Sequence, residues 1–153
     1  MSAPNQTSAQ GAALPVSGLV LLVGNSSSPE TFQPIANASE LKLPTIAEVV
    51  DVTNFGDSWR RRIPTLLDMG KIAFKIFWQM EDPSQNNSTP YGLRYLLINK
   101  LLRDWQVIYP NTAYPGATDS FPAYVTSFEI TASIGKVFEA SLELSNSGAP
   151  SLV

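Results

Sequence analysis

Three consecutive arginines, Arg60, Arg61 and Arg62, follow directly on Trp59, with Asp57 before them and Asp68 after. Guanidinium forks pair with phosphate or carboxylate, and an indole beside them supplies a flat apolar anchor. A phosphate-binding surface usually interleaves such charges with further basic and aromatic residues on one face, whereas here carboxylates flank the run. Ile63, Pro64, Leu66 and Leu67 complete a segment of the residue types that anchor protein interfaces. The other chemistry open to this chain is narrow. It has no histidine and no cysteine, which removes the common general base at neutral pH, the thiolate nucleophile, and zinc or iron sites built on imidazole or sulfur. No run of acidic residues has the spacing of a calcium loop. The expectation is therefore a protein without catalytic residues, cofactor or metal.

Composition agrees with a protein that meets other protein. Of 153 residues, 44% are apolar and only 15% charged, against the quarter to a third typical of a soluble monomer's surface. A net charge of −3 gives no general attraction to nucleic acid or to an anionic membrane. The short apolar run Leu19 to Val23 lacks a preceding basic residue and is far too short to cross a bilayer, so it reads as a first strand rather than a targeting signal or a membrane span.

The elements that must position the arginine segment follow from periodicity. An extended run over Glu40 to Thr53 contains Pro44, which implies a bulge or a sheet edge. After a long loop, Asn54 to Met69, the residues Ile72, Phe74, Ile76 and Trp78 alternate with Lys71, Ala73, Lys75 and Phe77, the period of a strand with one apolar face. A polar loop, Met80 to Ser88, leads to Thr89 as a candidate cap, Pro90 at the first helical position, and a stripe of Leu93, Leu97, Leu101 and Trp105 at spacing four, widened by Leu96, Ile98 and Leu102. A turn-rich PNTAYPGATDSFP precedes two last strands. In the first, Tyr124, Thr126, Phe128 and Ile130 form the apolar set; in the second, Phe138, Ala140, Leu142 and Leu144 do, with Ile134-Gly135-Lys136 as the turn. Glu129, Glu139 and Glu143 then fall on the polar faces of these strands, as Lys71 and Lys75 do on theirs. The fold class is mainly β, two packed sheets in a sandwich or barrel with one flanking helix and a long inter-strand loop. Residues 14–147 form the domain, with arms at 1–13 and 148–153.

The order and spacing of these features identify a family. EVVDVTNFGDSWRRRIPTLLDMGKIAFKIFW, together with PETFQP leading into IANASELKLPT, YVTSF, and the closing LELSNSGAP, resembles the major tail tube proteins of long-tailed, siphovirus-like bacteriophages over about residues 18 to 150. The resemblance implies a structural subunit that assembles with itself into stacked hexameric rings, the conduit through which DNA leaves the capsid without being specifically bound. It implies a place in the virion tail after synthesis and assembly in the host bacterial cytoplasm, with a tape measure protein, a tail terminator and tail-tip proteins as partners and no membrane. The loop bearing Phe55, Asp57, Trp59, Arg60, Arg61, Arg62, Ile63, Pro64 and Asp68 is then the ring-stacking interface, and Glu129, Glu139, Glu143, Lys71 and Lys75 a mixed lumen face. Two other readings share the same physics: a tube of a contractile tail or type VI secretion-like system, and a monomeric β-sandwich module binding glycans through Trp59 and Tyr91.

Overall fold

The computed structural model describes residues 18–26, 28–110 and 116–153. The expected N-terminal arm, 1–13, lies outside the described residues, as does the middle of the PNTAYPG turn. Nine strands and one helix follow in the order β1 Val20–Gly24, β2 Phe32–Pro34, β3 Ala38–Lys42, β4 Ile46–Asp51, β5 Arg62–Asp68, β6 Lys71–Phe77, α1 Leu93–Ile98, β7 Leu102–Ile108, β8 Thr118–Thr131 and β9 Glu139–Asn146. The chain is mainly β, with two sheets and one short helix among the described residues, as the periodicities require, but the division is uneven. Seven antiparallel strands form one sheet in the order β2-β1-β7-β8-β9-β6-β3, and β4 and β5 form a separate hairpin.

The large sheet rolls over on itself. Phe74 on β6 and Trp105 on β7 stand three strands apart, which in a flat sheet is roughly 14 Å, yet their rings lie 6.0 Å apart between centroids. Ile72, Phe74 and Ile76 of β6, Ala140, Leu142 and Leu144 of β9, and Leu21 and Val23 of β1 all point into one core, which Leu93 and Leu96 of α1 close from the side. The Trp105 indole is fully buried, and its N–H is satisfied by the Ala123 carbonyl at 3.2 Å.

Three local readings are corrected. The spacing-four stripe does not continue as helix beyond Ile98, and Trp105 is a strand residue. The helix stops because Lys100 takes a left-handed conformation, φ 54°, with Leu101 N–H donating to Leu96 O and Lys100 N–H to Leu97 O, the two bonds of a Schellman cap. Thr89 does not cap α1: Gly92 holds that position without a side-chain bond, and the Thr89 hydroxyl donates instead to Pro83 O at 2.7 Å. On β8 the expected apolar set holds for Phe128 and Ile130, but Tyr124 and Thr126 are exposed while Phe121, Ala123 and Val125 are buried. A bulge between Val125 and Ser127 reverses the alternation halfway along the strand.

Lys100 yields a direct stability prediction. A side chain in the left-handed region costs about 1–2 kcal/mol, and glycine's extra unfolded-state entropy takes back roughly half of that. Lys100→Gly should therefore raise the thermal midpoint by about 2 °C, measured by circular dichroism. A lower midpoint would mean that the lysine side chain holds the cap.

Two polar devices set the ends of the sheet. Gln85, fully buried in the loop after β6, donates to Ala36 O at 2.9 Å and Phe77 O at 3.2 Å and accepts from Gln79 N–H at 2.7 Å. At the other end Ser151 and Ser120 exchange both backbone bonds, at 2.7 and 2.8 Å, and Asp119 accepts from Val153 N–H at 2.8 Å and Tyr109 O–H at 2.6 Å. Burial and the Asp119 carboxylate push the Tyr109 phenol up to about 12. Residues 148–153, expected as a short arm, thus include a segment that pairs with β8 beyond the end of β9. Pro122 is accommodated at the same place. Its carbonyl faces Ser147 N–H at 3.0 Å, so its missing donor points to the side where the β9 ladder has ended.

Candidate assembly surfaces

The arginine segment sits on a hairpin, not on a loop throughout. Arg62 to Asp68 is strand β5, paired to β4 with Asp51 opposite Arg62, Val50 opposite Ile63 and Val49 opposite Pro64. Of the residues expected on the loop, Phe55, Asp57, Trp59, Arg60 and Arg61 lie in the connection at the tip, while Arg62, Ile63, Pro64 and Asp68 lie on the strand. Pro44 explains why the extended run divides: it separates β3, in the large sheet, from β4 in the hairpin. Every residue of both hairpin strands is exposed.

The tip is held by its own bonds. Val52 N–H donates to Arg61 O at 2.8 Å, Arg61 N–H to the Thr53 hydroxyl at 2.8 Å, Asn54 N–H to the Asp57 carboxylate at 2.9 Å, and Gly56 N–H to the Asn54 side chain at 3.0 Å. Arg60 pairs with Asp51 at 3.3 Å and Arg61 with Asp57 at 3.7 Å. Bonds from the Thr53 hydroxyl and its N–H, with the Arg62 charge behind them, hold the Asp51 carboxyl below the usual carboxylate range. These bonds shape the tip but bury nothing. Phe55 is wholly exposed and Trp59 is 85% exposed, with Leu66 at 71% and Leu67 at 78%. Exposed ion pairs contribute at most about 1 kcal/mol each, and a lone two-stranded hairpin is marginal in water. Large exposed apolar side chains in this number are of the kind found where a protein meets another molecule.

A second surface collects the charged residues of the large sheet. Lys71 and Lys75 on β6 share the outer face with Glu139 and Glu143 on β9 and Glu129 on β8. The structure adds two residues that sequence reasoning passed over, Glu40 and Lys42 on β3, whose alternation with Leu41 and Leu43 was the available signal. Lys71 pairs with Glu143 at 3.4 Å, Lys75 with Glu40 at 3.6 Å and Lys42 with Glu40 at 3.7 Å. Four carboxylates thus share this face with three ammonium groups, and the excess is a single negative charge.

Trp59 and Tyr91 are not partners. Tyr91 packs against the core beside α1, whereas Trp59 stands at the hairpin tip. Among the described residues no helix is long and apolar enough to cross a membrane. No group of three or more acidic, histidine or cysteine side chains there could hold a metal ion.

The family model for the lambda phage tail tube protein, TTP, matches residues 22–153. Solved structures of similar fold include the tail of an empty gene transfer agent particle refined with C6 symmetry, 19% identical with a TM-score of 0.71, covering 92% of this chain and 99% of that one. The tail tube of SPP1 is 12% identical with a TM-score of 0.63, covering 88% of this chain and 77% of that one. A chain in the six-fold symmetrised baseplate of the anti-feeding prophage is 12% identical with a TM-score of 0.61, covering 90% and 95%. No curated protein matches the sequence.

Proposed function

Because this chain belongs to the lambda phage tail tube protein family and is thus a structural subunit of a phage tail tube, we propose that it works as six-membered rings whose hairpins bind ring to ring. The observation that carries this reading is the hairpin itself, 23 residues from Ile46 to Asp68, with an ordered tip and no exposed strand residue buried against its own domain. Each large apolar side chain it buries on a neighbour would contribute about 1.5–3 kcal/mol. A few such contacts repeated around a ring exceed the cost of association. Six-fold symmetry in solved assemblies of the same fold supports the ring number. Among the described residues β2 and β3 are the edges of the large sheet, and they give the rings a means of closing, since an edge strand is a template for a strand of the next subunit.

In this reading the outer face of β3, β6, β9 and β8 lines the lumen. Its nearly balanced charge, with all three lysines paired to Glu40 or Glu143, offers DNA neither a row of cations to bind nor a dense anionic wall. The genome slides past without specific contact. Tape measure, terminator and tail-tip proteins would meet the tube at its interior and ends, and synthesis and assembly would take place in the host bacterial cytoplasm. The subunit's role is structural, without catalysis.

The absence of cysteine makes the lumen assignment testable. Ser141→Cys on the proposed lining and Asn99→Cys after α1 should both react with a polymer-linked maleimide too large to enter the tube while the protein is monomeric. In assembled tubes Ser141→Cys should become protected by at least tenfold, whereas Asn99→Cys stays reactive. Equal labelling of Ser141→Cys in monomers and tubes would move that face to the exterior.

A further inference from the structure

The hairpin needs a receptor, and the end of the sheet opposite to it carries one with matching chemistry. The hairpin leaves the large sheet where β3 ends at Lys42 and β6 begins at Lys71, beside Ser145 of β9. Six residues on, roughly 20 Å along the strand, β6 ends at Phe77 opposite Glu139. There the β8–β9 turn projects Ile134, at 106% exposure, with Val137 and Phe138 exposed behind it. Trp78 N–H donates to Phe138 O at 2.9 Å, so the turn lies against the segment Trp78 to Pro83. That segment lines a cleft of about 440 Å³ and presents an exposed Met80. Exposed apolar residues of the two segments are therefore neighbours, and the Gln85 bonds fix the loop that carries one of them.

Charge distinguishes this end from a general sticky patch. Between Asp51 and Arg62 the hairpin tip carries three arginines and two aspartates, a net of +1. Around the opposite end Glu81, Asp82 and Glu139 stand against Lys136 and Arg94, whose guanidinium lies 5.4 Å from the Trp78 ring, a net of −1. An aromatic, basic hairpin rooted at one end of the sheet thus has an apolar, acidic counterpart at the other. Two complementary surfaces at opposite ends make a heterologous contact, which propagates without limit along an axis.

We propose that the surface formed by the Trp78–Pro83 cleft and the adjoining Ala132–Phe138 turn receives the hairpin tip of a second copy of this chain in the adjacent ring. This rests on the stacked-ring reading and adds to it the receiving surface and the polarity of the stack. Copies carrying Phe55→Cys, mixed with copies carrying Ile134→Cys, should give covalent dimers with a short bis-maleimide once tubes form. A Phe55→Cys and Asn99→Cys mixture should give at least tenfold less. Tubes of normal appearance with no excess of the first dimer over the second would overturn the receptor assignment while leaving ring stacking intact. Wild-type protein that never forms tubes would instead remove the stacked-ring reading beneath it. Should the cysteine variants fail to assemble, charge reversal provides the second test. Arg61→Glu and Glu81→Arg should each slow tube growth at least tenfold, and the double variant should recover much of the loss. Losses that simply multiply in the double variant would contradict the pairing.

Discussion

Excising residues 48–66 and closing Ala47 onto Leu67 with an Asn-Gly turn leaves a folded subunit that forms no tubes. The core explains the first half of this expectation. Every residue in the buried cluster comes from β1, the β2–β3 connection, β6 to β9, α1, or Met69 at the foot of the hairpin, and none from β4 or β5. The deletion therefore exposes no core surface, and its effect on stability stays within about 1 kcal/mol, the range of surface changes away from packed features. The second half follows from what is lost: Phe55, Trp59 and the arginine triplet, the parts that an adjacent ring would bury. Replacing Arg61 and Arg62 with glutamate is the gentler form of the same experiment, since it keeps the hairpin and reverses the charge at its tip. A native circular dichroism spectrum and melting curve, with sedimentation showing no polymer, would satisfy the expectation. Tubes of ordinary length from the deleted chain would refute it.

The largest effect on the subunit itself is expected at Gln85. Its amide closes three bonds in a fully buried position, and Gln85→Ala removes all three partners at once. Gln79 N–H and the carbonyls of Ala36 and Phe77 are then left unsatisfied. Each such group costs about 1–3 kcal/mol, and partial relaxation of the loop brings the sum to roughly 3–5 kcal/mol. For a domain of this size that is a fall of about 10 °C in the thermal midpoint. Gln85→Glu tests the cause, because it keeps the acceptor for Gln79 N–H but turns the donor to the two carbonyls into an anion. It should be at least as destabilising at neutral pH. A midpoint within 2 °C or so of wild type for Gln85→Ala, about 1 kcal/mol or less, would show that water enters and replaces the amide.

Strands with unbroken alternation were legible from residues alone. β6 and the core positions of β9 follow their periods, and both sets of charged residues, Lys71 and Lys75 with Glu129, Glu139 and Glu143, do come to one face. The resemblance to tail tube proteins was likewise readable, because it rests on an ordered series of motifs. What failed has identifiable causes. On β8 a single inserted residue reversed the faces, and no local composition marks such a bulge. Around Lys100 the helix ends without the glycine that usually signals it, so a chance spacing of four carried the stripe into β7. Gln85 gave no signal at all, since a buried amide in a polar loop resembles its exposed neighbours Asn87 and Ser88. The hairpin misled because its apolar residues face no core. In the proposed stack their partner is another subunit, which fits a strand β5 with neither clean alternation nor burial. The proposed receiving turn gave no signal either, because Ile134-Gly135-Lys136 has the composition of any hairpin turn.

The central claim is that this subunit builds a hollow tube of stacked six-membered rings through its hairpin. Cryo-electron microscopy of the purified protein at increasing concentration, with and without tail-tip proteins as initiators, tests it most directly. The account predicts hollow tubes with six-fold symmetry in which the Ile46 to Asp68 hairpin crosses from one ring to the next and the Lys71 and Glu143 face lines the channel. Protein that stays monomeric with initiators present, or tubes whose hairpins remain within their own ring, would contradict it.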